Sequence, residues 1–186
     1  MTFNVVHQES YSRGELLLRS FLGYFYIVIP HMFILAFLGL WGSILTFISF
    51  VIILFTGSYP ESFFQYQVKL IKWSTRVNLR LYNLSDGYPA FGLESEDDAF
   101  EIDIPYPDNL SRATQLLKLF FGVIYVAIPH GFLLIFRTIA TMFLVFLAWW
   151  SVLFTGSFPE SWHSYIVGTL RWSLRVQLYL SYMTDD

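Results

Sequence analysis

RSFLGYFYIVIPHMFILAFLGLWGSILTFISFVIILFTGSYPE, residues 19–61, holds 41 consecutive residues without a charge between Arg19 and Glu61. As helix, that run is about 60 Å long, roughly twice a ~30 Å hydrocarbon core. One straight span cannot use it. Two spans joined by a tight turn can, and Gly39 and Gly42 flank the midpoint. The reading is therefore a transmembrane hairpin with spans near 20–38 and 41–56.

Outward from this stretch, the chain repeats itself. Shifted by 99 residues it overlays without a gap, and 32 of 76 pairs are identical between 12–87 and 111–186. Ile29-Pro30-His31 meets Ile128-Pro129-His130, and Thr56-Gly57-Ser58 with Pro60-Glu61-Ser62 meets Thr155-Gly156-Ser157 with Pro159-Glu160-Ser161. The second copy predicts spans near 119–136 and 140–155. Its one interrupting charge, Arg137, aligns with Leu38, close to the midpoint. An arginine is tolerable at a turn among headgroups and costly at the bilayer centre, so Arg137 marks the second hairpin tip.

Composition agrees with a lipid environment. The 186 residues are 55% hydrophobic, 20% aromatic and only 13% charged, against about 25% charge in soluble domains. Net charge is −3 and cysteine is absent, so nothing draws the chain to nucleic acid and no thiol chemistry is available. Ten of the eleven Lys/Arg and all fourteen Asp/Glu fall outside the hairpins. The positive-inside rule then places both termini and the linker in the cytoplasm of a four-span protein. Repeats with an even number of spans are parallel, related by an axis along the membrane normal. The first 20 residues are mixed polar and lack a cleavable signal pattern.

Each hairpin is followed by a predicted amphipathic helix, near 59–84 and 158–183. Gly57 and Gly156 suit the left-handed position that ends a helix, and Ser58-x-x-Glu61 and Ser157-x-x-Glu160 read as capping boxes. Phe63, Tyr66, Leu70, Trp73, Val77, Leu81 and Leu84 recur at three and four. Lys69, Lys72, Arg76 and Arg80 form a basic stripe, with Arg171 and Arg175 in the second copy. That pattern predicts an interfacial helix with cations toward lipid phosphates; the competing reading packs the stripe against protein. Between the repeats (1–87 and 111–186), the linker 88–110 holds an acidic run, Glu94-Ser95-Glu96-Asp97-Asp98, read as a solvated loop. It also holds an alternating strand near 100–104, able to pair with Thr2–Val6.

Catalytic patterns are missing: the spans carry no carboxylate, and there is no G-x-S-x-G, phosphate loop or H-E-x-x-H. His31 and His130 stand at equivalent places. One reading makes them structural, beside prolines that cannot donate to the carbonyls of Tyr26 and Tyr125, so that Pro30, Pro129, Tyr26 and Tyr125 form a kinked cluster. The others make them ligands for haem or a metal, or residues lining a conducting path.

Pro30-His31 in the first span, Thr56-Gly57-x-x-Pro60 after the second, and Arg171-Trp172-Ser173-x-Arg175 on the surface helix resemble a bacterial membrane family catalogued only as a domain of unknown function. The resemblance covers nearly the whole chain. It implies a bacterial inner-membrane setting and the paired layout, and brings no reaction. The expected role is a non-enzymatic scaffold or accessory subunit, without cofactor, whose partners are phospholipid and other integral membrane proteins or itself. The alternatives are a small oligomeric channel or transporter, and an electron-transfer subunit using His31 and His130.

Overall fold

A computed structural model describes all residues, Met1–Asp186. The chain is mostly helical and falls into two tandem halves. In chain order the elements are β1 (Thr2–Val5), α1 (Arg13–Gly23), α2 (Ile29–Thr56), α3 (Glu61–Leu81), β2 (Phe100–Asp103), α4 (Arg112–Gly122), α5 (Ile128–Thr155) and α6 (Glu160–Leu180). Wide π turns, Tyr24–Val28 and Val123–Ala127, join α1 to α2 and α4 to α5 without a break. The result is two continuous helices, Arg13–Thr56 and Arg112–Thr155, each of 44 residues. By length and composition, both are apolar enough to cross a membrane.

The helical hairpins expected at 20–38/41–56 and 119–136/140–155 are therefore corrected. Gly39 and Gly42 lie inside helix, and no residue there adopts a positive φ. Each glycine costs a helix only about 1 kcal/mol relative to alanine, whereas a turn in apolar surroundings would strand several backbone groups. Length, two glycines and the lone Arg137 are all that favour a turn; no proline or polar cluster marks one. Gly42 has its own purpose. A Cβ there would meet Leu70 Cδ2 at 3.1 Å and Gln67 Oε1 at 3.2 Å, so its missing side chain admits α3. Arg137, assigned to the second tip, is pinned to α6: its Nε donates to Thr169 Oγ1 at 3.2 Å and its guanidinium lies 4.4 Å from the Tyr165 ring centre.

The π turns sit where proline demands them. Pro30 and Pro129 supply no N–H, and the preceding amides widen their reach, Ile29 N donating to Tyr24 O and Ile128 N to Val123 O. At the far end, Gly57 (φ 78°) and Gly156 (φ 74°) take the left-handed conformation and reverse the chain. The capping boxes do not form. Pro60 and Pro159 hold the cap positions, with no side-chain cap bond. Ser58 N instead donates to Thr56 Oγ1 and Ser157 N to Thr155 Oγ1, both at 3.1 Å. Glu61 and Glu160 still stand in the first turn, where the helix dipole favours a negative charge.

After the glycine turn, α3 runs back along α2. Tyr66 Oη donates to Leu38 O at 2.8 Å and Gln67 Nε2 to Gly42 O at 2.6 Å. The two halves are stitched reciprocally: Leu110 N donates to Gly57 O, and 99 residues away Tyr11 N donates to Gly156 O, each at 2.8 Å. Arg13 reaches Phe154 O while Trp149 reaches Ser20, so α1 runs antiparallel to the end of α5. The expected strand pair is present, antiparallel, with Phe3 opposite Ile102. One core cluster joins Phe3, Leu16, Ile53, Phe64, Ile166 and Leu178 across both halves.

The molecule has two unlike faces. One flank of each long helix stays bare from end to end, as at Phe21, Phe33, Phe47 and Phe55 in the first and Phe120, Phe132, Phe143 and Phe154 in the second. The opposite flank carries α3, α6, the strands and the charged linker.

Candidate functional site

The strongest clusters of polar chemistry lie where α3 and α6 cross the histidines. In the first repeat, Trp73 Nε1 donates to His31 Nδ1 at 2.9 Å. Because Nδ1 accepts, the neutral ring carries its hydrogen on Nε2, which lies 3.1 Å from Tyr88 Oη. Tyr88 Oη in turn donates to Tyr26 O at 3.0 Å. The carbonyl that Pro30 leaves short of a donor is thus served by a tyrosine from the linker, relayed from a tryptophan on α3. His31 is fully buried, and Phe91 stacks on its ring with centroids 3.9 Å apart. Both nitrogens of His31 are engaged, which leaves no lone pair for haem iron or a metal.

The second repeat begins the same network and does not finish it. Trp172 Nε1 donates to His130 Nδ1 at 3.0 Å, fixing the same tautomer. No hydrogen bond reaches His130 Nε2, and no side chain reaches Tyr125 O. Tyr125 Oη pairs with Tyr179 Oη at 2.9 Å instead. Where Tyr88 and Phe91 fill the first repeat, the second has an open cavity of about 460 Å³ bordered by Tyr125, His130, Trp172, Arg175 and Tyr179.

The basic stripe also lies apart from its expected place. Arg76 and Arg80 are buried beneath the acidic linker. The Arg76 guanidinium donates to the carbonyls of Gly92 and Ser95. Arg80 pairs with Asp97 at 2.7 Å, both side chains 7% exposed. Lys69 meets Glu94 at 2.6 Å, and Arg171 donates to Phe3 O at 2.6 Å. Burial corrects the expected lipid contact for Arg76 and Arg80 alone; Lys69 and Arg171 bond within the chain while staying partly exposed. Within the acidic run Asp97 is docked against Arg80, while Glu94, Glu96 and Asp98 stay exposed as the solvated-loop reading expects. Lys72 and Arg175 have no intramolecular partner.

Several contributors escaped the sequence reading. Asp86 and Asp185 are the anchors of the two repeats: they accept from Ser12 N and Ser111 N at 2.6 and 2.7 Å and pair with Arg19 and Lys118 at 3.1 Å. Both aspartates coincide in the 99-residue overlay, which was signal enough. Ser12 and Ser111 cap α1 and α4, accepting from Glu15 N and Thr114 N. A third histidine site lies between the N-terminal segment and α6. His7 Nε2 bonds Phe158 O at 2.7 Å and lies edge-on to His163, ring centres 5.0 Å apart. Burial and the neighbouring His7 push His163 down to about 4.

A protein-family model, Domain of unknown function (DUF4389), matches residues 18–92 and again 117–186, once for each repeat. No curated protein and no solved structure matches the chain.

Proposed function

The chain belongs to the DUF4389 family, carrying that domain twice, and we propose that it is a non-enzymatic scaffold or accessory subunit embedded in the bacterial cytoplasmic membrane. Its bare apolar flanks contact lipid, and its polar layer, termini included, faces the cytoplasm and offers surfaces to other membrane proteins or to a second copy.

One observation carries this reading: continuous apolar exposure along both 44-residue helices, with every acidic residue outside them except Glu15 near the start of the first. Patches that extensive are not left in water by monomeric soluble proteins.

The same observation supports one pose over another. Upright, a helix of about 66 Å would overrun a ~30 Å core. Centred on Leu40, it would bring Lys69 and Glu94 to mid-bilayer, since Gln67 bonds Gly42. Shifted toward its start, it would submerge Arg19, Arg76, Arg80 and Asp97 and leave Phe47 and Phe55 in water. Lying along the membrane plane, each helix buries its whole bare flank at once and keeps the charges above the headgroups. The in-plane pose costs least.

Flotation with liposomes, followed by crosslinking in native membranes, tests the role. The expected result is salt-resistant flotation and discrete crosslinked complexes. Protein that stays in the soluble fraction, or that floats yet crosslinks to nothing, contradicts it.

A further inference from the structure

In the first repeat, charges of opposite sign face one cavity and do not meet. The space, about 350 Å³, has α3 as its floor, residues 93–98 arching over it, and Phe100 and Ile102 of β2 along its flank. We propose that this cavity is a binding site for a zwitterion carrying a phosphate and a primary ammonium a few bonds apart, the phosphoethanolamine unit that occurs in lipid headgroups and as a free solute. The inference goes beyond the scaffold role above and depends neither on a protein partner nor on the pose of the long helices.

The floor is basic. Lys69, Lys72 and Arg76 follow at three and four along α3, which puts them on one face of the helix. Lys69 is paired with Glu94. Arg76 is only 1% exposed, gives its terminal nitrogens to the carbonyls of Gly92 and Ser95, and has no acceptor in the chain for Nε. No carboxylate pairs with it, and a buried charge without an opposite one is costly. Lys72 lines the same cavity and has no intramolecular partner. The mouth is acidic. Glu96, Asp98 and Glu101 are exposed there, and none forms an ion pair with Lys72 or Arg76. Asp97, the remaining acid of the arch, is taken by Arg80. Free phosphate would have to pass the carboxylates of the mouth, and a bare cation would end against the cations of the floor, so each suits one half of the site and is repelled by the other. A phosphate seated on Lys72 and Arg76 makes charge-assisted bonds to the floor. An ammonium beside it offers N–H donors to the carboxylates, which a quaternary ammonium cannot. The cavity has the size of a small-ligand site, and its roof is already pinned by Arg76 and by the Arg80–Asp97 pair.

The probe is glycerophosphoethanolamine, titrated calorimetrically into the full chain in detergent micelles. Expected is saturable binding, with glycerophosphocholine, inorganic phosphate and ethanolamine each weaker by about tenfold or more. Lys72→Ala, and separately Glu96→Gln combined with Asp98→Asn, weaken binding of the probe by a similar factor. These side chains are exposed or half-buried and make no ion pair, so their loss leaves the fold intact, and unchanged helix content verifies this. Competition by phosphatidylethanolamine vesicles and not by phosphatidylcholine vesicles assigns the site to the lipid headgroup; a titration unaffected by either assigns it to the free solute. Equal competition by both overturns the proposal. So do no saturable binding, glycerophosphocholine, phosphate or ethanolamine binding as tightly as the probe, or indifference to both sets of substitutions. A chain that floats and crosslinks but binds no probe refutes the cavity alone; one that binds the probe but does not float refutes the membrane reading alone.

Discussion

Trp73 holds His31 through a 2.9 Å bond from indole Nε1 to imidazole Nδ1, and that bond settles which nitrogen of the histidine carries hydrogen. Trp172 and His130 repeat it at 3.0 Å. The indole of the returning helix thereby reads the position of a proline-widened turn in the long helix.

Removing the indole donor strands a buried imidazole nitrogen. Trp73→Phe should destabilise the protein by about 1–3 kcal/mol. Trp172→Phe should cost less, since His130 is half-buried and water can replace the donor. Denaturant unfolding of both variants in detergent micelles measures the difference; equal losses would contradict the account.

Glycine substitutions separate a helix interior from a turn. Gly39 is helical, and a Cβ added there would meet nothing within 4 Å, so Gly39→Ala should stabilise by about 0.5–1 kcal/mol. Gly42→Ala should destabilise, because Leu70 and Gln67 occupy the space. Gly57→Ala should destabilise by about 1 kcal/mol or more, its φ of 78° being unsuited to a side chain. Thermal melts check all three, and a harmful Gly39→Ala would favour a hairpin tip.

Arg80 and Asp97 make the buried clasp of the linker. Deleting one partner leaves an uncompensated buried charge, at a cost of about 3–5 kcal/mol. Asp97→Ala should free the 88–98 segment, visible as faster limited proteolysis there. Replacing both residues by leucine should restore much of the resistance. Unchanged cleavage of the Asp97→Ala protein would show that the cover is not clasped.

The long helices show how far sequence alone reaches. The repeat, the glycine ends at Gly57 and Gly156, and the strand pairing of Thr2–Val5 with Phe100–Asp103 were all legible, because each depends on local chemistry. The hairpin tips were not. Leu38 to Gly42 contains nothing that distinguishes turn from helix, and a turn follows only if the helix is assumed to stand upright in lipid. The basic stripe was seen correctly as a stripe. For Arg76 and Arg80 the partner was not legible: the carbonyls of Gly92 and Ser95 and the carboxylate of Asp97, some twenty residues onward, hold them, and periodicity cannot register such a long-range cover. Tyr88 and Phe91, which complete the His31 site, looked like ordinary turn residues.

Acid should loosen the N-terminal segment. His163 titrates near 6.5 when unfolded and about 4 when folded. Between those values the unfolded chain binds the extra proton, so stability present above pH 6.5 is lost progressively as pH falls toward 4. His163→Phe should flatten that part of the pH profile of the melting temperature. A slope unaltered by the substitution would place the titration elsewhere.

Depth measured by spin-label accessibility is the most direct test of the proposed pose. Labels placed singly at Phe25, Phe37, Phe47 and Phe55, in protein reconstituted into bilayers, should all report one similar, shallow immersion, with a label at Glu96 in water. A steady progression from one headgroup region through the bilayer centre to the other would show an upright helix and contradict the in-plane account.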